Sequence, residues 1–153
     1  MQSAMNVRRL GRRDARLAHD VITTLKITDG NLRDKLSTDY LSRFLSRPEN
    51  YLIVATDDDK PVGYLIAYLL DRVDRNQSMM FFYEISVASS HHRRGAGTGM
   101  INLLKQFCRE QNVMKMWVHT NVSNQAAVRL YEATGGEADA SGDEITFLYG
   151  PEF

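Results

Sequence analysis

The apolar positions of this chain follow two rhythms, and the rhythms divide it into elements. Spacings of three and four put Ala15, Leu17, Ala18, Val21, Ile22 and Leu25 on one face of a helix over about residues 14–25, after a short strand at 7–10. A second helix, capped by Ser37 or Thr38, runs through Ser46 and ends at Arg47-Pro48. Residues 51–56 and 62–70 read as strands joined by the turn Asp57-Asp58-Asp59-Lys60-Pro61. Residues 79–87 form a third long strand. Its alternation puts Phe81, Tyr83, Ile85 and Val87 on one side and Met80, Phe82, Glu84 and Ser86 on the other. After a glycine-rich loop come a helix to about residue 111, a strand at 115–120, a helix at 124–134 and a final strand at 144–149. Strands and helices alternate in the second half, which predicts an α/β layered sheet.

Length and composition narrow the class. A chain of 153 residues suits one domain over 1–153, and 43% hydrophobic with 25% charged residues excludes wholesale disorder and fibrous repeats. The formal net charge is zero, which argues against holding nucleic acid or membrane by bulk positive charge. The balance is uneven, however. All nineteen basic residues lie in 1–129, whereas 130–153 holds six acids and no Lys or Arg. Arg8, Arg9, Arg12, Arg13 and Arg16 read as a solvated basic face without the aromatic interleaving of an RNA-binding surface, so no nucleic-acid partner is expected. The single cysteine, Cys108, lies on an apolar helix face and reads as a small buried hydrophobe. No apolar run is long enough to span a bilayer, so a cytoplasmic protein with no membrane partner is expected.

The densest chemistry lies in residues 87–99, Val87-Ala88-Ser89-Ser90-His91-His92-Arg93-Arg94-Gly95-Ala96-Gly97-Thr98-Gly99. A strand ends, basic residues arrive and glycines alternate as a helix opens. The unpaired N–H groups and positive end of such a helix suit a phosphate. Two better-known phosphate loops do not fit: Met100-Ile101 follows Gly99 where a P-loop needs Lys and Ser/Thr, and Met100 replaces the last glycine of a dinucleotide fingerprint. Alone, the cluster is compatible with a connection that binds nothing. Adjacent His91 and His92 lack an acid or cysteine at ligand spacing, so no metal is expected.

A second segment follows, Asn124-Gln125-Ala126-Ala127-Val128-Arg129-Leu130-Tyr131-Glu132-Ala133-Thr134-Gly135. Together the two resemble the GNAT superfamily of acetyl-CoA-dependent N-acetyltransferases. Its first motif is V, four residues, then R/Q-x-x-G-x-G/A, and its second N-x-x-A-x-x-L-Y-x-x-x-G. Gly95 and Gly97 match the first, with His92 at the usual Arg/Gln position; Asn124, Ala127, Leu130, Tyr131 and Gly135 match the second. From about Asp39 to Tyr149 the chain is further similar to the gentamicin-type aminoglycoside 3-N-acetyltransferases of the same superfamily. The likeness is carried by Asp39-Tyr40-Leu41, Val62-Gly63-Tyr64-Leu65-Ile66-Ala67-Tyr68, Phe82-Tyr83-Glu84-Ile85-Ser86-Val87 and Ile101-Asn102-Leu103-Leu104-Lys105.

The resemblance implies a GNAT fold: a mixed, mostly antiparallel central sheet with helices on both faces. It implies acetyl-CoA as cosubstrate, with His92 among the cofactor-binding residues, the N–H groups of Arg93, Arg94, Gly95, Ala96, Gly97 and Thr98 on the pyrophosphate, and the pantetheine arm along Ile85 and Val87. It also implies Asn124 on that arm and Tyr131 as the acid that protonates the departing thiolate. Read without the resemblance, Arg93 and Arg94 suit a solvated surface, Tyr131 a packed ring, and Asn124 a helix cap. Glu84 stands where the gentamicin-type enzymes carry Asp. As a lone acid in an apolar strand it faces either solvent or a cleft, and the resemblance assigns it the cleft as general base. The implied activity is N-acetylation of an aminoglycoside, with another amine as acceptor or a non-catalytic acyl-CoA-binding module as alternatives. A polycationic acceptor calls for acids; Asp143 and Glu144 are the first candidates and Asp71 and Asp74 the next, although the run Asp71-Arg72-Val73-Asp74-Arg75 also reads as a self-neutralised loop. A homodimer is expected, with the apolar final strand and Gly150-Pro151-Glu152-Phe153 at its interface.

Overall fold

The computed structural model describes residues 5–26, 32–139, 141–143 and 145–151. Its centre is a five-stranded sheet in chain order: β1 (Met5–Arg9), β2 (Asn50–Asp57), β3 (Lys60–Asp71), β4 (Ser78–Val87) and β5 (Val113–Trp117). The first three pairings are antiparallel. β5 joins β4 in parallel, which requires the long crossover that α4 (Ala96–Glu110) supplies. On one face lie α1 (Ala15–Leu25), the short α2 (Leu32–Lys35) and α3 (Thr38–Ser46); α4 and α5 (Gln125–Ala133) cover the other. The architecture is the expected mixed, mostly antiparallel sheet with helices on both faces.

Local chemistry explains most boundaries. Ser37 Oγ accepts from Tyr40 N at 3.1 Å, making Ser37 the cap of α3. Asp58 and Asp59, with φ of 48° and 65°, make the tight hairpin between β2 and β3. β2 is buried on both sides. Tyr51 and Ile53 pack with Leu65, Met80, Phe82 and the α4 residues Met100 and Leu104, whereas Leu52 and Val54 pack with Tyr64 and the α1 and α3 residues Val21, Ile22 and Leu41. Two of the N-terminal arginines serve the fold. Arg8 makes a two-pronged pair with Asp14 at 3.1 Å, and Arg9 stacks 3.7 Å over the Tyr51 ring while donating to the Pro48 and Asn50 carbonyls.

Three expectations change. β5 is Val113–Trp117, two residues nearer the N-terminus than the reading of 115–120 and shorter at its far end. The described residues of 144–149 form no strand; Ile145, Phe147, Leu148 and Tyr149 are 73–91% exposed. Their alternation has β propensity but no ladder to join, and propensity without a paired edge does not make a strand. The third change is in β4. The register jumps from Ile66↔Glu84 to Ala67↔Phe82, leaving Tyr83 as an extra residue in a β-bulge. Met80 and Phe82 face α4 and α5, while Glu84 meets Tyr64 and Tyr83 meets Tyr68 on the α1/α3 side. Glu84 therefore does not share a face with Phe82 and Met80.

Candidate functional site

The loop after β4 is shaped for an anion. A short 3-10 turn, Ser89–His91, leads to left-handed backbone at Arg93 (φ 65°) and Gly95 (φ 88°), and α4 opens at Ala96. Gly99 N is the first to reach a helical carbonyl, Gly95 O at 2.8 Å, so the N–H groups of Gly95, Ala96, Gly97 and Thr98 precede the ladder. The two matching glycines have different causes. Gly95 has open space around it and is needed for its positive φ, whereas a Cβ on Gly97 would stand 3.0 Å from Leu130 Cδ2 on α5. The histidines brace the loop and have separate partners: His91 Nε2 lies 2.8 Å from Asp57 Oδ2, and His92 Nε2 2.9 Å from the Val87 carbonyl. Arg93 and Arg94 are exposed.

Beside this loop β4 has an open edge. Its pairing with β5 ends at Phe81↔Trp117, although β4 runs on to Val87. Ala88 N donates to Val62 O at 2.8 Å, and Gly63 is registered with Val87. Alternate residues of an antiparallel strand face the neighbour, so the N–H groups of Ile85 and Val87 point away from β3 into the gap.

Glu84 borders that gap on the α1/α3 side. Tyr64 Oη donates to Glu84 Oε2 at 3.2 Å, and Lys26 Nζ stands 3.5 Å from the same oxygen. Burial, with the Glu84 charge next, holds the Tyr64 phenol far above its ordinary range. Around them the rings of Phe44, Tyr68, Tyr83, Phe81 and Trp117 form a continuous run of edge and stacked contacts. On the opposite face Tyr131 packs edge-on to Phe82, centroids 5.6 Å apart, in a cleft of about 900 Å³ between β5, α5 and the segment after it. Burial raises the Tyr131 pKa, so its phenol keeps its proton at neutral pH. Asn124 Oδ1 accepts from Ala127 N at 3.2 Å and caps α5.

The acetyltransferase (GNAT) family pattern matches residues 19–135, from α1 through the end of α5. The chain belongs to the acetyltransferase (GNAT) family. Within it, the chain is 29% identical over 72 residues to a probable N-acetyltransferase family 8 member 5 of Mus musculus. That alignment covers 47% of this chain and 32% of the mouse protein, so the chain spans about a third of that relative's length. Among solved structures it superposes on the aminoglycoside acetyltransferase meta-AAC0020 from an uncultured soil metagenomic sample, in complex with sisomicin (TM-score 0.79, 19% identity, 95% of each chain). It also superposes on the aminoglycoside N-acetyltransferase AAC(6')-Iy in complex with CoA (TM-score 0.77, 17% identity, 99% of this chain and 97% of that one). At these identities the likeness is one of fold.

This GNAT chain does not gather all the expected residues. Asp143 is exposed and, among the described residues, makes no hydrogen bond or ion pair; it follows Asp139, Ser141 and Gly142, which line the cleft of Tyr131 rather than the side of Glu84. Glu144 lies outside the described residues. Asp74 is held by Arg72 at 2.6 and 2.7 Å and by Arg75, and Asp71 accepts from Ser78, as a self-neutralised loop would. Sequence reasoning missed Tyr64 and Lys26, which meet Glu84 from another strand and from the end of α1. No local pattern signals contacts of that range.

Proposed function

We propose that this chain transfers an acetyl group from acetyl-CoA to an amine, and that the amine belongs to an aminoglycoside and is its 3-amino group. One observation carries the reading: an acid, Glu84, beside a β4 edge left open next to a helix N-terminus whose N–H groups have no carbonyls. Residues 1–153 act as one domain in this reading. The pyrophosphate takes the N–H groups of Arg93 and of Gly95 to Thr98; the Arg94 N–H is spent on the His91 carbonyl at 3.4 Å, so Arg94, like Arg93, adds charge through its side chain. Pantetheine lies along Ile85 and Val87, and the Val87 N–H polarises the thioester oxygen. Asn124 fixes α5 and touches the arm. His92, tied to the Val87 carbonyl, steadies the turn rather than binding phosphate as an arginine would.

The two faces of the sheet divide the proton work. Glu84 takes a proton from the acceptor ammonium on one side of the gap, and Tyr131, kept protonated by burial, gives one to the leaving sulfur on the other. Nucleophile and leaving group thus approach and depart on opposite sides. Asp143 and Glu144 add counter-charge for a polycation from the C-terminal segment. A resistance role follows from this acceptor.

A second reading is favoured by the seat itself. One carboxylate among Tyr68, Tyr83 and Phe81 suits an amine of lower charge, such as a small metabolite or a protein amine, as well as it suits a polycation. Release of CoA thiol with gentamicin, kanamycin, spermidine and a peptide bearing one free amine, side by side, decides between them. Turnover confined to the first two supports the aminoglycoside. Turnover of none, with acetyl-CoA bound, overturns it.

A further inference from the structure

The Lys26 side chain has no counterpart in the role assignments above. It closes α1, with its N–H on the Ile22 carbonyl at 2.9 Å, and its ammonium stands 3.5 Å from Glu84 Oε2. Among the described residues it is the one lysine in an ion pair. Lys35, Lys60 and Lys115 are exposed, and Lys105 Nζ is on the Thr134 carbonyl at 2.9 Å. Lys26 and Glu84 are about equally shielded, 29% and 30% exposed. A base must lie within hydrogen-bond reach of the amine it deprotonates. Lys26 already places a primary amine at nearly that distance from Glu84, on a flexible four-carbon stem able to swing toward the open β4 edge.

We infer that Lys26 is an intramolecular acceptor: when no amine substrate is present, its ε-amine occupies the acceptor seat and is itself acetylated. The inference rests on Glu84 being the base of the proposed function. The step balances. Glu84 takes one proton from the Lys26 ammonium and passes it to solvent. The neutral nitrogen attacks the acetyl carbonyl carbon, the C–N bond forms and the C–S bond breaks. The departing sulfur receives the Tyr131 proton, and the second proton lost by nitrogen restores that phenol. The products are N-acetyl-lysine and free CoA thiol.

The test is incubation of the full chain with acetyl-CoA and no amine, followed by intact-mass measurement and peptide mapping. The expected result is one acetyl group per chain, on Lys26, formed at a first-order rate that dilution does not change. Lys26→Arg should abolish it. Glu84→Gln should slow it by about 100-fold or more, while Glu84→Asp retains it in part; acetyl-CoA binding shows that both variants are folded. A turned-over amine at saturation should suppress it. Acetylation of Lys26 no faster than of Lys35 and Lys60, undiminished in Glu84→Gln, or rising with protein concentration would overturn the inference. If free amines are turned over while Lys26 stays unmodified, the internal acceptor fails and the enzymatic reading stands. If acetyl-CoA binds and neither free amines nor Lys26 is acetylated, the enzymatic reading fails with it.

Discussion

The two sides of the site are made of different material. The loop after β4 offers main-chain N–H groups, those of Gly95 to Thr98, set by two left-handed residues and a helix start, while His92 braces the turn and Arg93 and Arg94 are exposed. The proposed acceptor side offers side chains: Glu84 held by Tyr64 and Lys26, with aromatic rings around it. A backbone cradle tolerates exchange of most of its side chains but not of its glycines. A side-chain seat is the reverse, and one substitution can change what it accepts.

Substitutions should separate the two sides. Glu84→Gln has the largest expected effect, a fall in kcat of ~10²–10⁴ with acetyl-CoA affinity unchanged; normal kcat with saturating amine would remove the acid from the chemistry. Tyr131→Phe should lower kcat less, by about 100-fold. In the proposed mechanism Tyr131 acts in its acid form and burial raises its pKa, so the alkaline limb of kcat belongs above the ordinary tyrosine value of about 10. A limb below it, unchanged in the variant, would assign it elsewhere. Gly97→Val drives a side chain into Leu130 and should cost ~1–3 kcal/mol of stability, read as a lower Tm, and weaken acetyl-CoA binding as α5 shifts. Gly95→Ala meets no atom and is strained only by φ, so ~1 kcal/mol and a several-fold weaker Kd for acetyl-CoA are expected, with kcat nearly unchanged. A larger effect on kcat than on Kd would erase the distinction between the two sides. Cys108 should show no effect: burial pushes its thiol up to about 11, so alkylating reagents at neutral pH should leave thiol and activity intact.

The same contrast governs what the sequence made legible. The cradle was readable because its cause is local: glycine spacing, a strand end and a helix start are neighbours in the chain, and Ser37 and Asn124 cap their helices as their residue types predict. The acceptor side was readable only in Glu84. Its partners reach it through strand register and helix packing, 20 residues away for Tyr64 and farther for Lys26. The reading of residues 144–149 failed for a related reason, since alternation records which residues suit a strand and not whether an edge lies beside them. The exposed run Ile145, Phe147, Leu148 and Tyr149 keeps that pattern without the pairing.

The extra residue in β4 has a consequence for how this strand can change. Up to Phe82 the even-numbered positions serve the α4 side; from Ile85 onward the odd-numbered ones do. Insertion or deletion between Met80 and Val87 but outside the Tyr83-Glu84 pair reverses the parity of one half against the other, sending core residues to water and polar ones inward. Loss of Tyr83 alone leaves each remaining side chain on its present side, with Glu84 still across the sheet from Phe82. At that position a change in length is no more disruptive than a change of residue, so length itself becomes available for reshaping the wall beside the acid.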